Sequence, residues 1–197
     1  MRTRTAFLTV IGLALAIAAS AQAVNKQAPE PGNKSIETFT GFAVDVQSGQ
    51  AGVVEIVINR WSTDAERSML EQVLKASGSQ AAVEAMQELP QVGYIRGNNT
   101  MGDALFYARS TQLPDGTRRV VVATNRPLSA SAMIAPGASN QWDATVIEMH
   151  FPKGNGKGEG KIVVAAKASI DPKTGQLRLN NYMGEPVRFE RISAKTS

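Results

Sequence analysis

The sequence predicts an α+β domain. The domain is built on a curved, mostly antiparallel β-sheet of about eight strands, with one helical hairpin inserted after the second strand. Most of the chain alternates apolar and polar residues with period two, and residues 63–89 change to a helical period. The small residues of "VVAAKAS" (163–169) suit a strongly curved sheet or a partial barrel. A two-sheet sandwich is the second interpretation.

Residues 1–23 have the pattern of a cleaved signal peptide. Arg2 and Arg4 precede an apolar run over 6–18, and the small residues of "ASAQA" (19–23) offer cleavage after Ala21 or Ala23. The apolar run is shorter than the about 20 residues that a membrane span needs, so a retained anchor is the weaker alternative. The polar stretch 24–35 predicts a flexible lead-in, and residues 36–197 predict a single α+β domain.

Two strands are predicted before the helical stretch. Their apolar residues recur at every second position: Phe42, Val44 and Val46 in the first strand, and Val54, Ile56 and Ile58 in the second. The segment "QSGQAG" between them predicts a turn.

The helical hairpin is predicted from caps and breakers. Thr63 and Glu66 have the spacing of a capping box, which marks a helix start. Gly78 is predicted to end the first helix, Ser79 to cap the second, and Pro90 to close it. The apolar faces are Ala65, Met69, Leu70, Val73 and Leu74 in the first helix, and Ala82, Val83, Met86 and Leu89 in the second.

After Pro90 the chain returns to strand patterns. The strands are predicted in "VGYIR", "ALFYARSTQ", "RRVVVATNR", "TVIEMHF", "KIVVAAKASI", "QLRLNNY" and "VRFERI". The segments "LPDGT" and "DPKTG" predict turns, and residues 127–142 predict a long irregular connection. In "KIVVAAKASI", strict alternation predicts that Ile162 and Ala168 share one face.

The stretch "HFPKGNGKGEGKIVVAAK" (150–167) is rich in glycine and lysine and is a candidate for a phosphate-binding loop. That motif needs four residues between its glycines, a hydroxyl after the lysine, and a following helix. Here Ile162 follows Lys161, and a strand pattern comes next. The stretch therefore predicts a hairpin loop between two strands.

Composition excludes several classes of function. The chain has 21 Lys+Arg and 17 Asp+Glu, a balance of +4; cleavage of residues 1–23 removes Arg2 and Arg4 and lowers it to +2. Such a small charge indicates no nucleic-acid partner. No second long apolar run follows, so the mature chain is predicted to be soluble with no transmembrane span. Without cysteine and with one histidine, the sequence predicts no disulfide, no metal site and no cofactor.

Catalytic candidates are few, and none is assigned a role. His150 is the only histidine, and alternation puts it on the same face as Glu148. A hydrolase using His150 or the carboxylates Glu148 and Glu190 is the enzymatic alternative. The sequence contains no GxSxG motif, so a surface histidine beside a carboxylate is the favoured interpretation.

The candidate ligand-binding residues are Tyr94, Arg96, Tyr107 and Arg109. On a strand, residues two apart share a face, so each Tyr–Arg pair points one way. If the two strands pair in register, they form an amphipathic anion-binding patch, because guanidinium groups bind carboxylate or phosphate. The alternative is structural: the strand arginines pair across strands with acids. The acids proposed as partners are Glu55, Asp103, Glu148 and Glu190.

At "RWSTDAERSMLEQVL", "LPQVGYIR" and "LPDGTRRVVVATNRPLS" the chain resembles exported bacterial proteins to which no activity is assigned. The resemblance runs from about "GFAVDV" to "EPVRFERI"; it implies export and a single domain and transfers no catalytic residue. We therefore predict a periplasmic or secreted, non-enzymatic binding or interaction module of the cell envelope. Its partner is predicted to be a small anionic or amphipathic ligand or an envelope protein; a structural envelope component is a further alternative.

Overall fold

The computed structural model describes residues 35–97, 102–126, 128, 144–170, 177–181 and 186–197. The strands, numbered in chain order, are β1 (Glu37–Asp45), β2 (Gln50–Ile58), β3 (Gly93–Gly97), β4 (Asp103–Leu105), β5 (Tyr107–Gln112), β6 (Arg118–Ala123), β7 (Ala144–Phe151), β8 (Gly158–Ile170), β9 (Leu177–Asn181) and β10 (Val187–Thr196); the helix α1 spans Asp64–Gln87. The predicted signal peptide, most of the predicted lead-in and irregular connection, and the "DPKTG" turn lie outside these residues.

All the described strands belong to one antiparallel sheet that curls back on itself. The order is β4-β3-β2-β1-β10-β8-β7-β6-β5, and β9 pairs with β8 off this path. The two end strands, β4 and β5, are consecutive in the chain with only Phe106 between them. Val92 N donates to Leu105 O, whereas Phe106 N donates to Ala123 O, so the backbone changes partner at this point. The predicted α+β class and curved antiparallel sheet are confirmed, with ten strands instead of about eight.

The inside of the curled sheet is a filled apolar core. The rings of Phe39 and Phe151 meet there with centroids 5.5 Å apart. All nine strands of the path contribute at least one buried residue to this core, so the sheet closes around side chains and not around a channel. The fully buried residues include Phe39, Ile56, Ile58, Val92, Ile95, Leu105, Val120, Val122, Ile147, Met149, Ile162, Phe189 and Ile192.

β1 exists as predicted, but its inward face is the opposite one. Phe39 and Ala43 are buried, whereas Phe42 is 46 % exposed and Val46 is 50 % exposed. The reason lies at Gly41, where an added Cβ would come within 2.8 Å of the Phe189 ring. Only a glycine fits inside at that point, and Phe42, the next residue along β1, therefore faces outward.

The helical stretch is divided where the sequence predicted. α1 (Asp64–Gln87) consists of two helical segments that meet at Gly78, whose φ of 83° and ψ of −173° are not helical. The break falls on the residue predicted to end the first helix, and the second segment follows directly. The capping box is confirmed: Glu66 N donates to Thr63 Oγ1 at 3.2 Å, and Thr63 N donates to Glu66 Oε2 at 2.7 Å.

α1 packs on the outer face of the sheet over a second apolar cluster. Val83 and Met86 are buried there against residues of β6, β7 and β8, and Leu70 is partly buried against the same cluster. The sheet members of this cluster are Ala104, Phe106, Tyr107, Val121, Ala123, Ala144, Val146 and Val163. Strands β5 to β8 therefore have apolar side chains on both faces.

The strict alternation predicted for β8 is wrong. Ile162 lies in the interior core, but Ala168 lines the outer face and its N–H donates to Ser79 Oγ at 3.1 Å. The register between β7 and β8 shifts between Ala144 and Val146, so one residue of β7 (145) opposes two of β8 (164 and 165). Such an irregularity moves later side chains to the other face.

β7 and β8 form the hairpin that the glycine- and lysine-rich stretch predicted. Residues 152–157 connect them, and a strand, not a helix, follows the connection. In the described part of the chain, no helix is long and apolar enough to cross a membrane.

Candidate functional site

A cleft of about 730 Å³ lies between α1 and the outer face of β5–β8. We call it the helix–sheet cleft. Its apolar wall on the helix comprises Leu70, Leu74, Ala82, Val83 and Met86. Its floor consists of the outward residues of β5, β6 and β7, with Ala168 of β8 at one side.

The floor changes from apolar to polar along the strand direction. Backbone register arranges the outward residues in three rows, each crossing β5, β6 and β7. The first row is Tyr107, Ala123 and Val146; the second is Arg109, Val121 and Glu148; the third is Thr111, Arg119 and His150. One end of the cleft is therefore lined by apolar groups, and the other end by groups that carry charge or donate hydrogen bonds.

Glu148 is the centre of the polar end. Its carboxylate lies 2.7 Å from Arg119 Nε, 3.0 Å from His150 Nε2 and 3.3 Å from Lys161 Nζ. Burial raises the pKa of Glu148, but the charges of Arg119 and Lys161 outweigh burial and hold the pKa below its ordinary value. The carboxylate is therefore ionised at neutral pH and faces three basic groups.

Two further ion pairs lie where the helix begins. Arg109 Nη1 donates to Asp64 Oδ1 at 2.8 Å, which ties β5 to the first turn of α1. The hydrogen bond from Arg109, together with its charge, lowers the pKa of Asp64. Arg67 Nη1 donates to Glu71 Oε1 at 2.6 Å one turn along the same helix.

Tyr107 belongs to the first row of the floor and lies near Arg109 and Arg67. Burial raises the pKa of its phenol, and the nearby Arg109 and Arg67 partly oppose that effect. The phenol is therefore neutral at physiological pH. Its side chain packs against the apolar cluster and lines the cleft.

The four residues of the predicted anion-binding patch do not lie together in the structure. Tyr94 and Arg96 lie on β3, which pairs with β2 and β4 and not with β5. Arg96 binds Glu55 at 2.6 Å and lies over the Tyr94 ring at 5.6 Å. Tyr107 and Arg109 line the helix–sheet cleft, and Tyr94 and Arg96 do not. The pairing of the two strands is the part that was wrong; ligand binding by these residues stays a prediction.

The structural alternative for the strand arginines is confirmed for three of its four acids. Glu55 pairs with Arg96, Glu148 with Arg119, and Asp103 with Arg126. Glu190, the fourth, lies on β10, with β8 between its strand and that of Glu148. No ion pair of Glu190 is found within the described residues.

Sequence reasoning missed the most buried ion pair. Arg118 of β6 points inward and binds both oxygens of Glu37, at 2.6 and 2.7 Å. Its guanidinium also lies 5.8 to 5.9 Å from the ring centroids of Phe39, Trp61 and Phe151. Glu37 and Arg118 are 81 residues apart, so no local pattern links them. The alternation of β6 alone would have placed Arg118 inside with Val120.

Hydrolytic chemistry has little support in the cleft. Ser79 and Thr111 are the two aliphatic hydroxyls of its lining, and neither hydrogen-bonds to His150. Ser79 Oγ accepts from Ala168 N instead. Over the residues described, no group of three or more His, Asp or Glu side chains is placed to hold a metal ion.

Comparison with protein-family models, with curated proteins and with solved structures found no match to the chain.

Proposed function

We propose that the protein is a non-enzymatic binding module that holds a small amphipathic anion in the helix–sheet cleft. The observation that carries the proposal is the polarity gradient along the floor, with Val146 and Ala123 at one end and Arg119 and His150 at the other. Ligand sites are typically concave and mostly apolar, with a few convergent polar groups that fix orientation. A volume of about 730 Å³ lies within the range of such sites.

The filled interior of the sheet supports the same choice of site. Phe39, Ile147 and Phe189 are fully buried within it, and close packing leaves no room for a ligand there. A ligand of this protein would therefore bind on the outer face, under α1.

A hydrolase is the second candidate, favoured by the contact of 3.0 Å between His150 Nε2 and Glu148. A carboxylate that orients a histidine is a common arrangement for a general base. The candidate is weaker because the cleft offers His150 no hydroxyl or thiol nucleophile within hydrogen-bond distance among the described residues. His150→Gln would abolish turnover of a nitrophenyl ester if the hydrolase were correct, and we expect no turnover above background in the wild type.

Binding is tested with anilinonaphthalene sulfonate, a fluorescent probe that is apolar with one anionic group. We expect saturable binding to the wild type and loss of binding in Val121→Trp, which fills the floor of the cleft. The matched control is Val53→Trp, on the outer face of β2 and opposite Phe42 in register. Equal binding by both variants would place the probe elsewhere, and no binding to the wild type would reject the proposal.

We also propose that the protein works outside the cytoplasm, in the periplasm or secreted. The support is the basic start, apolar run and small-residue cleavage sites of residues 1–23. Mass spectrometry of the mature protein should find its N-terminus at Gln22 or Val24. Recovery of the chain from the cytoplasm with Met1 intact would reject export.

A further inference from the structure

We propose that the ligand of the helix–sheet cleft is an alkyl monocarboxylate whose carboxylate binds Arg119 and whose tail lies along β6 under α1. This inference rests on the function proposed above and adds the chemical class and the orientation of the ligand. Four features of the cleft support it. Arg119 has N–H groups without a protein partner among the described residues, and the polar end has an excess of one positive charge. The other arginines of the lining are neutralised, and the apolar residues of the floor extend from Arg119 along β6.

Arg119 keeps hydrogen-bond donors for a ligand. Its Nε lies against Glu148 at 2.7 Å, and its side chain is 39 % exposed. Its two Nη groups donate no hydrogen bond to any residue that the structure describes. A guanidinium presents parallel N–H groups that match the two oxygens of a carboxylate.

At the polar end of the cleft, the positive charges exceed the negative charges by one. Arg119 and Lys161 share the single carboxylate of Glu148, and His150 adds a second positive charge only when it is protonated. On the next strands, Glu159 is opposite His150, and Arg188 is opposite Lys161. Both are exposed and of opposite charge, so the surplus stays near +1. One surplus charge beside the ionised Glu148 favours a monoanion over a dianion.

The other two arginines of the lining are already neutralised. Arg109 has Asp64 as its partner at 2.8 Å, and Arg67 has Glu71 at 2.6 Å. Binding a second carboxylate at either site would place two anions side by side. Arg119 is different because its partner is shared with two other basic groups.

The apolar residues that follow Arg119 on β6 set the direction and the length of the tail. From Arg119 the outward residues of β6 are Val121 and then Ala123, four residues further along. At the rise of a β-strand this distance is about 13 Å. Val83 and Met86 of α1 pack on the cluster at that end. A tail that starts at Arg119 therefore runs along β6 toward Ala123 and has a medium length.

The test compares three ligands with one tail: decanoate, decanol and decylammonium, each below its micelle concentration, by titration calorimetry at pH 7. We expect decanoate to bind tightest and decylammonium weakest. Arg119→Gln should weaken decanoate about tenfold to a hundredfold, as loss of hydrogen bonds to a charged group does, and leave decanol unchanged. Arg126→Gln is the control: it removes an arginine near the other end of β6 that is paired with Asp103 and does not line the cleft.

Arg119→Lys keeps the charge and loses the fork of donors, so it should bind decanoate with an affinity between the wild type and Arg119→Gln. If Arg119→Gln fails to fold, the affinity of Arg119→Lys for decanoate tests the role of the guanidinium. If decanol binds as tightly as decanoate and Val121→Trp blocks both, the cleft is a binding site but the carboxylate inference is wrong. If none of the three ligands binds, both the carboxylate inference and the proposed binding function are wrong.

Discussion

The ion pair between Glu37 and Arg118 should be the most costly polar contact of the fold to break. The Glu37 side chain is 8 % exposed and that of Arg118 is 25 % exposed. Two hydrogen bonds of 2.6 and 2.7 Å join them, and Arg118 Nε donates to Ser110 Oγ at 2.7 Å. The pair joins the first residue of β1 to the first residue of β6, across the inside of the curled sheet.

The magnitude follows from what each substitution leaves behind. Arg118→Met leaves the Glu37 carboxylate buried without its partner, and removal of one partner of a buried pair costs about 3–5 kcal/mol. We expect about 3 kcal/mol, because a quarter of the Arg118 side chain reaches solvent. Glu37→Leu strands the guanidinium instead, at a similar or lower cost, since Arg118 also keeps Ser110 and the aromatic rings.

The double variant Glu37→Leu with Arg118→Met should recover much of the loss. Replacing a buried ion pair by apolar side chains of similar size is often neutral, and a methionine packs well against the rings of Phe39, Trp61 and Phe151. We therefore expect the free energy of unfolding of the double variant to exceed the additive value by about 2 kcal/mol or more.

Urea denaturation followed by far-UV circular dichroism measures the free energy of unfolding. The double-mutant cycle comprises the wild type, the two single variants and the double variant. The matched control pair is Arg96→Met with Glu55→Leu, an ion pair of the outer face in which Arg96 is 48 % exposed. Exposed pairs contribute about 0–1 kcal/mol, so its coupling should be small. Strict additivity at Glu37 and Arg118, or a coupling no larger than that of the control pair, would show that the buried pair is no more costly to break than an exposed one.

Two further predictions concern the helix start and the polar end of the cleft. Thr63→Ala removes the side chain that accepts from Glu66 N and should lower the free energy of unfolding by about 1 kcal/mol, whereas the exposed mid-helix Gln72→Ala should have little effect; equal effects in urea denaturation would contradict the capping assignment. Because the folded-state pKa of Glu148 is lowered, its stabilising contribution is present above the ordinary glutamate pKa of about 4.3 and is lost as pH falls below it. Unfolding from pH 7 to pH 3 should thus show a smaller acid loss of stability in Glu148→Gln than in the wild type; an equal loss in both proteins would contradict it.

The parts of the fold that depend on neighbours in the chain were predictable. The capping box at Thr63, the break at Gly78, the "LPDGT" turn and the hairpin of β7 and β8 are all encoded within a few residues. Each follows from a local rule: a side chain that caps a backbone N–H, a glycine that adopts positive φ, or a turn residue between two alternating stretches.

The parts that depend on distant partners were not predictable. Closure of the sheet occurs at Phe106, where the backbone changes partner from β3 to β6, and nothing in the sequence around Phe106 marks that change. The same holds for the shifted register that turns Ala168 outward, and for the meeting of Glu37 with Arg118. Tyr94 and Tyr107 were grouped because their strands are close in the chain, whereas the sheet places those strands near opposite ends of its path.

Two adjacent residues of β6 allow stability and binding to be separated. Alternation sends Arg118 into the core, where it binds Glu37, and sends Arg119 outward into the helix–sheet cleft. Both are arginines on one strand, each paired with a largely buried glutamate, so the two substitutions match closely in chemistry and differ in the face of the sheet they affect. Arg118→Met should lower the free energy of unfolding and leave the affinity for decanoate almost unchanged while the protein is folded. Arg119→Gln should do the reverse, because Arg119 is 39 % exposed and Glu148 keeps its contacts with His150 and Lys161 when Arg119 is replaced. Parallel effects of the two substitutions on both properties would mean that the cleft is part of the core and not a site.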